Sequence, residues 1–344
     1  MRRVFVCCSV LAVALLLATP HFAQGPNANP AALKAKAQNV PEIPYELVSN
    51  FFKLPADQYF GESIGVATNS KGHVYVYDRG HETRLFEFDQ NGNFLRFIGE
   101  GLYGFVFAHV VRVDPQDNVW AVDEGSNMII KFNPQGRVEM LMGRRPESHG
   151  ILASPLPGTP VPPAQPYVFN RPTDVAWDAA GNIYISDGYG NSRVAKFTKE
   201  GDWVKAVGTR GNGPLQFSTP HGIGNDAKGN IYVADRGNNR IQVLDPDLKL
   251  LKTFTNVRAP WLICISPGPK QYLFTADGSS GHVYKLDLDG NLVGWFGTIG
   301  KRTGQFYWAH QIACPSENEL YVGEVQNWRV QHVTLKPGAR STNQ

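Results

Sequence analysis

The chain has 344 residues, with 33 Lys and Arg against 30 Asp and Glu, and it carries four cysteines. That length can bury a substantial core, and two of the cysteines fall in an N-terminal apolar run, so a cysteine-stapled scaffold is excluded. Without Arg2 and Arg3 of that same segment, 31 basic residues face 30 acidic ones, a balance that gives no reason to expect a nucleic-acid partner or an acidic membrane surface.

Residues 1–23 read as a signal peptide. "MRR" supplies the positive start, "VFVCCSVLAVALLLA" the apolar run, and "TPHFAQG" a polar exit with Ala23 near the cut. The run is too short and wrongly flanked for a membrane span, so the expectation is a secreted or periplasmic protein without stable membrane insertion. Cys7 and Cys8 are followed by more apolar sequence, which argues against a lipid-anchored mature N-terminus. Residues 24–43, polar and rich in Ala and Pro, read as a flexible leader.

From residue 44 onward one pattern repeats six times: "SIGVATNSKGHVYVYDRG", "HVVRVDPQDNVWAVDEG", "TDVAWDAAGNIYISDGYG", "HGIGNDAKGNIYVADRG", "WLICISPGPKQYLFTADG" and "HQIACPSENELYVGEV". Each unit is an apolar run, a turn, an alternating strand and an acidic residue, the last being Asp78, Asp123, Asp187, Asp235, Asp277 and Glu324. Their spacings are 45, 64, 48, 42 and 47, and the long one contains a Pro-rich insertion at 144–166. The first five marks are followed by two more strands around a tight turn, as in "LFEFDQNGNFLRFIG" and "VYKLDLDGNLVGWFG". Regular four-stranded units of this length predict an all-β, six-bladed β-propeller spanning 44–336. The sixth unit lacks a last strand before the 337–344 tail, and "PYELVSNFFKLP" (44–55) stands unused before the first. Joining the two termini in one blade closes the ring and removes its open edge. A monomer is expected.

Counting back 14 residues from each acidic mark reaches Ile64, His109, Thr173, His221 and His310 in blades 1, 2, 3, 4 and 6; in the longer blade 5 the matching residue is Trp261. This position opens the strand that lines the tunnel. Histidine holds it in alternate blades, about 120° apart, so three imidazoles converge on one point with a fourth position open, the usual arrangement of a catalytic zinc. A single histidine at a strand start is more often a hydrogen-bonding structural residue; the shared register is what points to metal.

The same face carries Arg79 and Arg236, each directly after its acidic mark, and Tyr189 in "SDGYGNSRV". Arg84, Arg193, Arg240 and Arg329 recur in most blades and therefore read as scaffold, whereas Arg79, Tyr189 and Arg236 break the repetition. Cys264 and Cys314 lie on the first strands of neighbouring blades, where a disulfide and two buried thiols fit equally.

The repeats resemble the NHL class of propeller. Five segments further resemble the peptidyl-α-hydroxyglycine α-amidating lyases (peptidylamidoglycolate lyases), over roughly residues 44–336: "YDRG" with Arg79, "FAHVVRVDPQDNVWAVD" with His109, "FNRPTDVAWDAAGNIYISDGYGNSRV" with Tyr189, "FSTPHGIGNDAKGNIYVADRGNNRI" with His221 and Arg236, and "YWAHQI" with His310. The resemblance implies zinc on His109, His221 and His310, a catalytic Tyr189, and active-site arginines at Arg79 and Arg236. It also implies a structural calcium in the tunnel, held by the carbonyls of Val66 and Val111 and by the residue after the third histidine. That residue is Gln311 here, not a carboxylate, and an uncharged amide would bind calcium more weakly. A disulfide beside the tyrosine in animal members is absent, with Gly190 in its place.

The implied reaction cleaves the C–N bond of a C-terminal α-hydroxyglycine to give a peptide amide and glyoxylate. The hydroxyl proton must leave and the departing amide nitrogen must gain one. Tyr189 is the expected base, Arg79 the first choice of cation to lower its phenol, and Arg236 the fork for the carboxylate. A peptide substrate would be made by a separate hydroxylating monooxygenase. Three alternatives stand beside this reading. One is a lyase on a small non-peptide α-hydroxy-amide. Another is a metal-dependent propeller hydrolase or lactonase, whose sites usually rely on Asp, Asn and Glu. The third is a non-catalytic secreted NHL-repeat binding protein.

Overall fold

Turn chemistry sets the strand ends. Asp114, Asp178 and Asp226 between first and second strands, and Asp89, Asp245 and Asp287 between third and fourth, each accept the amides two and four residues on. The alternating sequences on either side of these turns pair as antiparallel ladders. The computed structural model describes residues 40–145 and 164–337; the expected signal peptide, the leader up to residue 39, most of the Pro-rich insertion and residues 338–344 lie outside the described residues.

Six four-stranded sheets form the six blades of a propeller built of NHL-like repeats. Strands a to d of blade 1 are Glu62–Thr68, Val74–Arg79, Thr83–Phe88 and Phe94–Ile98. Blade 2 follows as Ala108–Val113, Val119–Asp123, Met128–Phe132 and Val138–Gly143. Blade 3 is Asp174–Trp177, Ile183–Asp187, Arg193–Phe197 and Trp203–Val207, and blade 4 is Pro220–Asn225, Ile231–Asp235, Arg240–Leu244 and Leu250–Phe254. Blade 5 is Cys264–Ile265, Leu273–Asp277, His282–Leu286 and Leu292–Phe296. The second strands are buried along their length in most blades, as expected of strands covered on both faces. Six apolar clusters fill the six seams between neighbouring blades, so the core is a ring rather than one central mass.

Blade 6 combines Ala309–Ala313, Glu319–Glu324 and Arg329–Leu335 with the N-terminal strand Tyr45–Leu47, paired Tyr45↔Leu335 through Leu47↔Val333. The closing strand is shorter than the 44–55 stretch read from the sequence. Asn50 takes a left-handed conformation (φ 52°), which turns the chain out of the sheet. Phe51 and Phe52 then wedge between blades 6 and 1, against Tyr321 and Phe88. The last residues of the supposed leader are also engaged: Ile43 donates to the carbonyl of Trp295 on the outer strand of blade 5 (2.7 Å). Cys264 and Cys314 form a disulfide between blades 5 and 6, which decides between the two readings of that pair. Among the described residues no helix is long and apolar enough to cross a membrane.

Closure leans on Tyr45, whose ring packs on Phe296 (centroids 5.2 Å apart) and whose hydroxyl donates to Gly304 O (2.6 Å). Tyr45→Ala removes both contacts, which hold the closing strand against blade 5 and the blade 5–6 connection. We expect a loss of about 2–4 kcal/mol of unfolding free energy by urea denaturation, with the propeller's spectrum retained in water.

Candidate metal centre

The acidic marks set where each tunnel strand begins. In five blades the carboxylate accepts the backbone amide 17 residues earlier: Gly61 to Asp78, Val106 to Asp123, Asn170 to Asp187, Ser218 to Asp235 and Tyr307 to Glu324. In four blades the recurrent arginines close the same carboxylates, as Arg84–Asp78, Arg193–Asp187, Arg240–Asp235 and Arg329–Glu324. They are scaffold, as their repetition indicates. Just past the clamp the a–b ladder slips by one residue, skipping Ile64, His109, His221 and His310. A bulge re-aims the skipped side chain, and here the histidines are the skipped residues.

The three imidazoles are buried, at 0%, 1% and 3% exposure for His109, His221 and His310. Their ring centroids lie 4.7–4.9 Å apart, and one ligand atom from each lies within 4.8 Å of the others. Each Nδ1 meets a backbone carbonyl of the following blade: His109 on Thr173 (2.6 Å), His221 on Trp261 (2.5 Å) and His310 on Ile64 (2.9 Å). A carbonyl only accepts, so each Nδ1 carries the proton and each Nε2 offers a lone pair to the common centre. Burial first, then neighbouring arginines and imidazoles, hold all three well below the ordinary histidine value, so the rings stay neutral, as ligands must be. This three-histidine cluster fits a divalent metal such as zinc.

Tyr189 borders the centre, its hydroxyl 2.9 Å from His221 Nε2 and 3.3 Å from His109 Nε2. Arg236 stands 5.4 Å from the phenol ring and 4.7 Å from the Trp261 ring. Arg79 acts on the triad rather than on the phenol: its charge reaches His109 and His310, while it pairs with Glu62 (2.6 Å), donates to Ala108 O (3.2 Å) and stacks on Phe107. The cations acting on the phenol are therefore Arg236 and a residue the sequence reading passed over, Arg171, 4.5 Å from its ring. Burial raises Tyr189, the two arginines pull it down, and Glu124 pushes it up. Glu124, also unanticipated, is buried, bound by the Arg171 fork, and faces His109 Nε2 at 3.9 Å. It directly follows Asp123, in the column that holds Arg79 and Arg236, and comparing that column across all six blades would have exposed it.

Deeper in the tunnel, the residues proposed for calcium are otherwise engaged. Gln311 Oε1 accepts the amides of Val66 (3.1 Å) and Val111 (3.2 Å), and its Nε2 donates to Val111 O (2.6 Å). Two amide donors converge where a cation would need acceptors, so the set does not fit calcium. Gly65 makes room for this arrangement, since a Cβ there would meet Val111 N at 2.9 Å. Beside it, Arg112 pairs with the buried Asp174 (2.9 and 2.5 Å) and donates to the carbonyls of Ile223 and Ile263. The tunnel thus carries a guanidinium of its own.

Comparison with known proteins agrees with the fold and adds relatives. The NHL repeat family matches residues 169–197 and 217–244, within blades 3 and 4. Human NHL repeat-containing protein 3 is 29% identical over 260 residues, covering 72% of this chain and 68% of the human protein. Rat peptidylglycine alpha-amidating monooxygenase is 25% identical over 318 residues, covering 80% of this chain but only 30% of the rat protein. Virginiamycin B lyase from Staphylococcus aureus superposes with a TM-score of 0.58 at 13% identity, covering 86% of this chain and all of that one, a likeness of fold alone. The chain is thus a six-bladed β-propeller built of NHL-like repeats, with sequence similarity to amidating-lyase proteins.

Elemental analysis of purified protein should find about one zinc per chain. His221→Ala should fold yet lose stoichiometric metal; full metal in that variant would exclude the triad. In the tunnel, Arg112→Met strands Asp174 and should cost about 3–5 kcal/mol in unfolding free energy. The melting temperature of the metal-loaded, unaltered protein should not move with added calcium.

Proposed function

We propose that the chain is a metal-dependent carbon–nitrogen lyase that converts a C-terminal peptidyl-α-hydroxyglycine to a peptide amide and glyoxylate. The observation that carries this reading is the state of the three guanidinium groups around the triad. Arg79 is paired with Glu62 and Arg171 with Glu124, whereas Arg236 has no carboxylate partner among the described residues. A site with neutral ligands and one unpaired arginine suits a substrate bearing one carboxylate.

A metal on the triad supplies Lewis acidity to the substrate hydroxyl and a positive field that favours ionisation of groups beside it. Arg236 holds the carboxylate of the hydroxyglycine. Burial raises the Tyr189 phenol, which is drawn toward its phenolate by Arg236 and by the field of a bound metal. Within hydrogen-bond reach of two ligating nitrogens, that phenolate takes the hydroxyl proton. As the C–N bond breaks, its electron pair goes to the amide nitrogen, which is protonated, and the former carbinol carbon becomes the aldehyde of glyoxylate. The phenol that accepted the first proton is placed to return it, so the chemistry needs no redox partner. Export to an oxidising compartment, supported by the Cys264–Cys314 disulfide, would bring the enzyme to peptides hydroxylated by a separate monooxygenase.

The test is glyoxylate release from hydroxyglycine-capped peptides and from small hydroxy-amides, on zinc-loaded and stripped protein. Zinc-dependent turnover of only the small substrates would exclude the peptide reading and keep the lyase; no glyoxylate from either would exclude both. Tyr189→Phe should keep fold and metal while kcat falls about 10²–10⁴-fold. Arg236→Ala should act mainly on KM, raising it about 10- to 100-fold through loss of a charge-assisted contact.

A further inference from the structure

The register position in blade 5 holds Trp261 in place of histidine, and its ring lies 5.4 Å from His221 and 5.7 Å from His310. The residue after the acidic mark in that blade is Gly278, where blades 1 and 4 have arginine and blade 2 has glutamate. A Cβ at Gly278 would meet the Trp261 indole at 2.7 Å, so the glycine is what lets the ring lie across the mouth. Trp308 continues this surface outward, its ring 5.4 Å from Trp261 and 38% exposed. Its backbone is left-handed (φ 55°), as are Arg171, Thr219 and Ala259 two positions before the register residue in blades 3, 4 and 5, so a turn shared by four blades aims this residue at the mouth. The turn belongs to the scaffold, but the choice of a large, partly exposed indole at it, packed on Trp261 beside the triad, is not explained by core formation.

We infer that Trp261 and Trp308 form a subsite for the residue that precedes the hydroxyglycine, and that this subsite favours an aromatic or large apolar side chain. The inference rests on the orientation proposed above: with the carboxylate on Arg236, which itself stacks on Trp261, the acyl part of the substrate must leave the mouth toward solvent, and the indole wall lies along that exit. Planar aromatic surface offers a peptide side chain contact area at low entropic cost, and an aromatic partner adds ring–ring attraction.

The experiment measures binding of two unreactive probes that keep the C-terminal carboxylate but lack the hydroxyl, N-acetyl-Phe-Gly and N-acetyl-Gly-Gly, by calorimetry on the metal-loaded protein, alongside turnover of the matching hydroxyglycine substrates. The Phe probe should bind about tenfold more tightly. Trp308→Ala should bring the ratio of the two affinities close to one, and Trp308→Phe should retain most of it. Equal affinities in the unaltered protein, a ratio unmoved by Trp308→Ala, or no binding of either probe would each overturn the subsite. A Phe preference that depends on Trp308, with no glyoxylate formed, would leave the subsite standing and refute the lyase assignment.

Discussion

The contact on which the rest of the structure depends is the hydrogen bond that a buried strand-end carboxylate accepts from the backbone amide 17 residues before it. It ties the end of the second strand to the loop that feeds the first, at the face where the tunnel opens. Burial penalises these carboxylates, raising Asp78 to about 6 and pushing Asp123, Asp187 and Asp235 upward as well. Amide donors in all four, and arginines in blades 1, 3 and 4, offset that penalty. With the mouth held this way, the bulge next to the clamp occurs at a set distance from it, and whatever residue occupies the bulge is aimed into the tunnel.

That geometry explains why the metal triad was legible and much of its surroundings was not. The clamp spans 17 residues and the bulge lies 14 before the acid, so a repeat count alone places His109, His221 and His310 in one ring. The outer ladder was equally readable, because strand alternation and turn residues are local properties. Arg171 is itself left-handed (φ 59°), as are Thr219, Ala259 and Trp308 at the same register, but four different residue types occupy that turn, so no residue pattern marks it in the sequence. Glu124 stands in a column that was read for arginines alone. Arg79 differs for another reason: chain position puts it on the expected face, but its guanidinium pairs with Glu62, directly across the strand pair. The disulfide depended on the separation of two strand starts, which spacing leaves open.

The calcium expectation shows how one side chain changes the meaning of a backbone site. A carboxylate after the third histidine would add negative charge and would leave the tunnel needing a cation. Gln311 instead brings a donor and an acceptor on one planar group, and it satisfies Val66 and Val111 directly. The charge that the tunnel does contain, Asp174, is met by Arg112 from the neighbouring blade. An amide and a guanidinium thus tie the blades together across the tunnel in this chain.

The alternation of histidine and non-histidine blades has a physical reason. Each imidazole needs an acceptor for its Nδ1 proton if its Nε2 is to stay free, and the nearest fixed acceptor is the carbonyl at the same register in the next blade. Ile64, Thr173 and Trp261 supply those carbonyls from the backbone, and their own side chains bring no imidazole to the centre. Six histidines in the column would crowd the tunnel mouth, whereas three, each turned by its neighbour's backbone, give a trigonal set with room on the solvent side. The odd blades are then free to vary at that position, and in blade 5 the variation has produced an indole. One column of the repeat therefore provides the metal ligands, the groups that orient them and the aromatic surface beside them, and the residues that follow the acidic marks provide the charges around it.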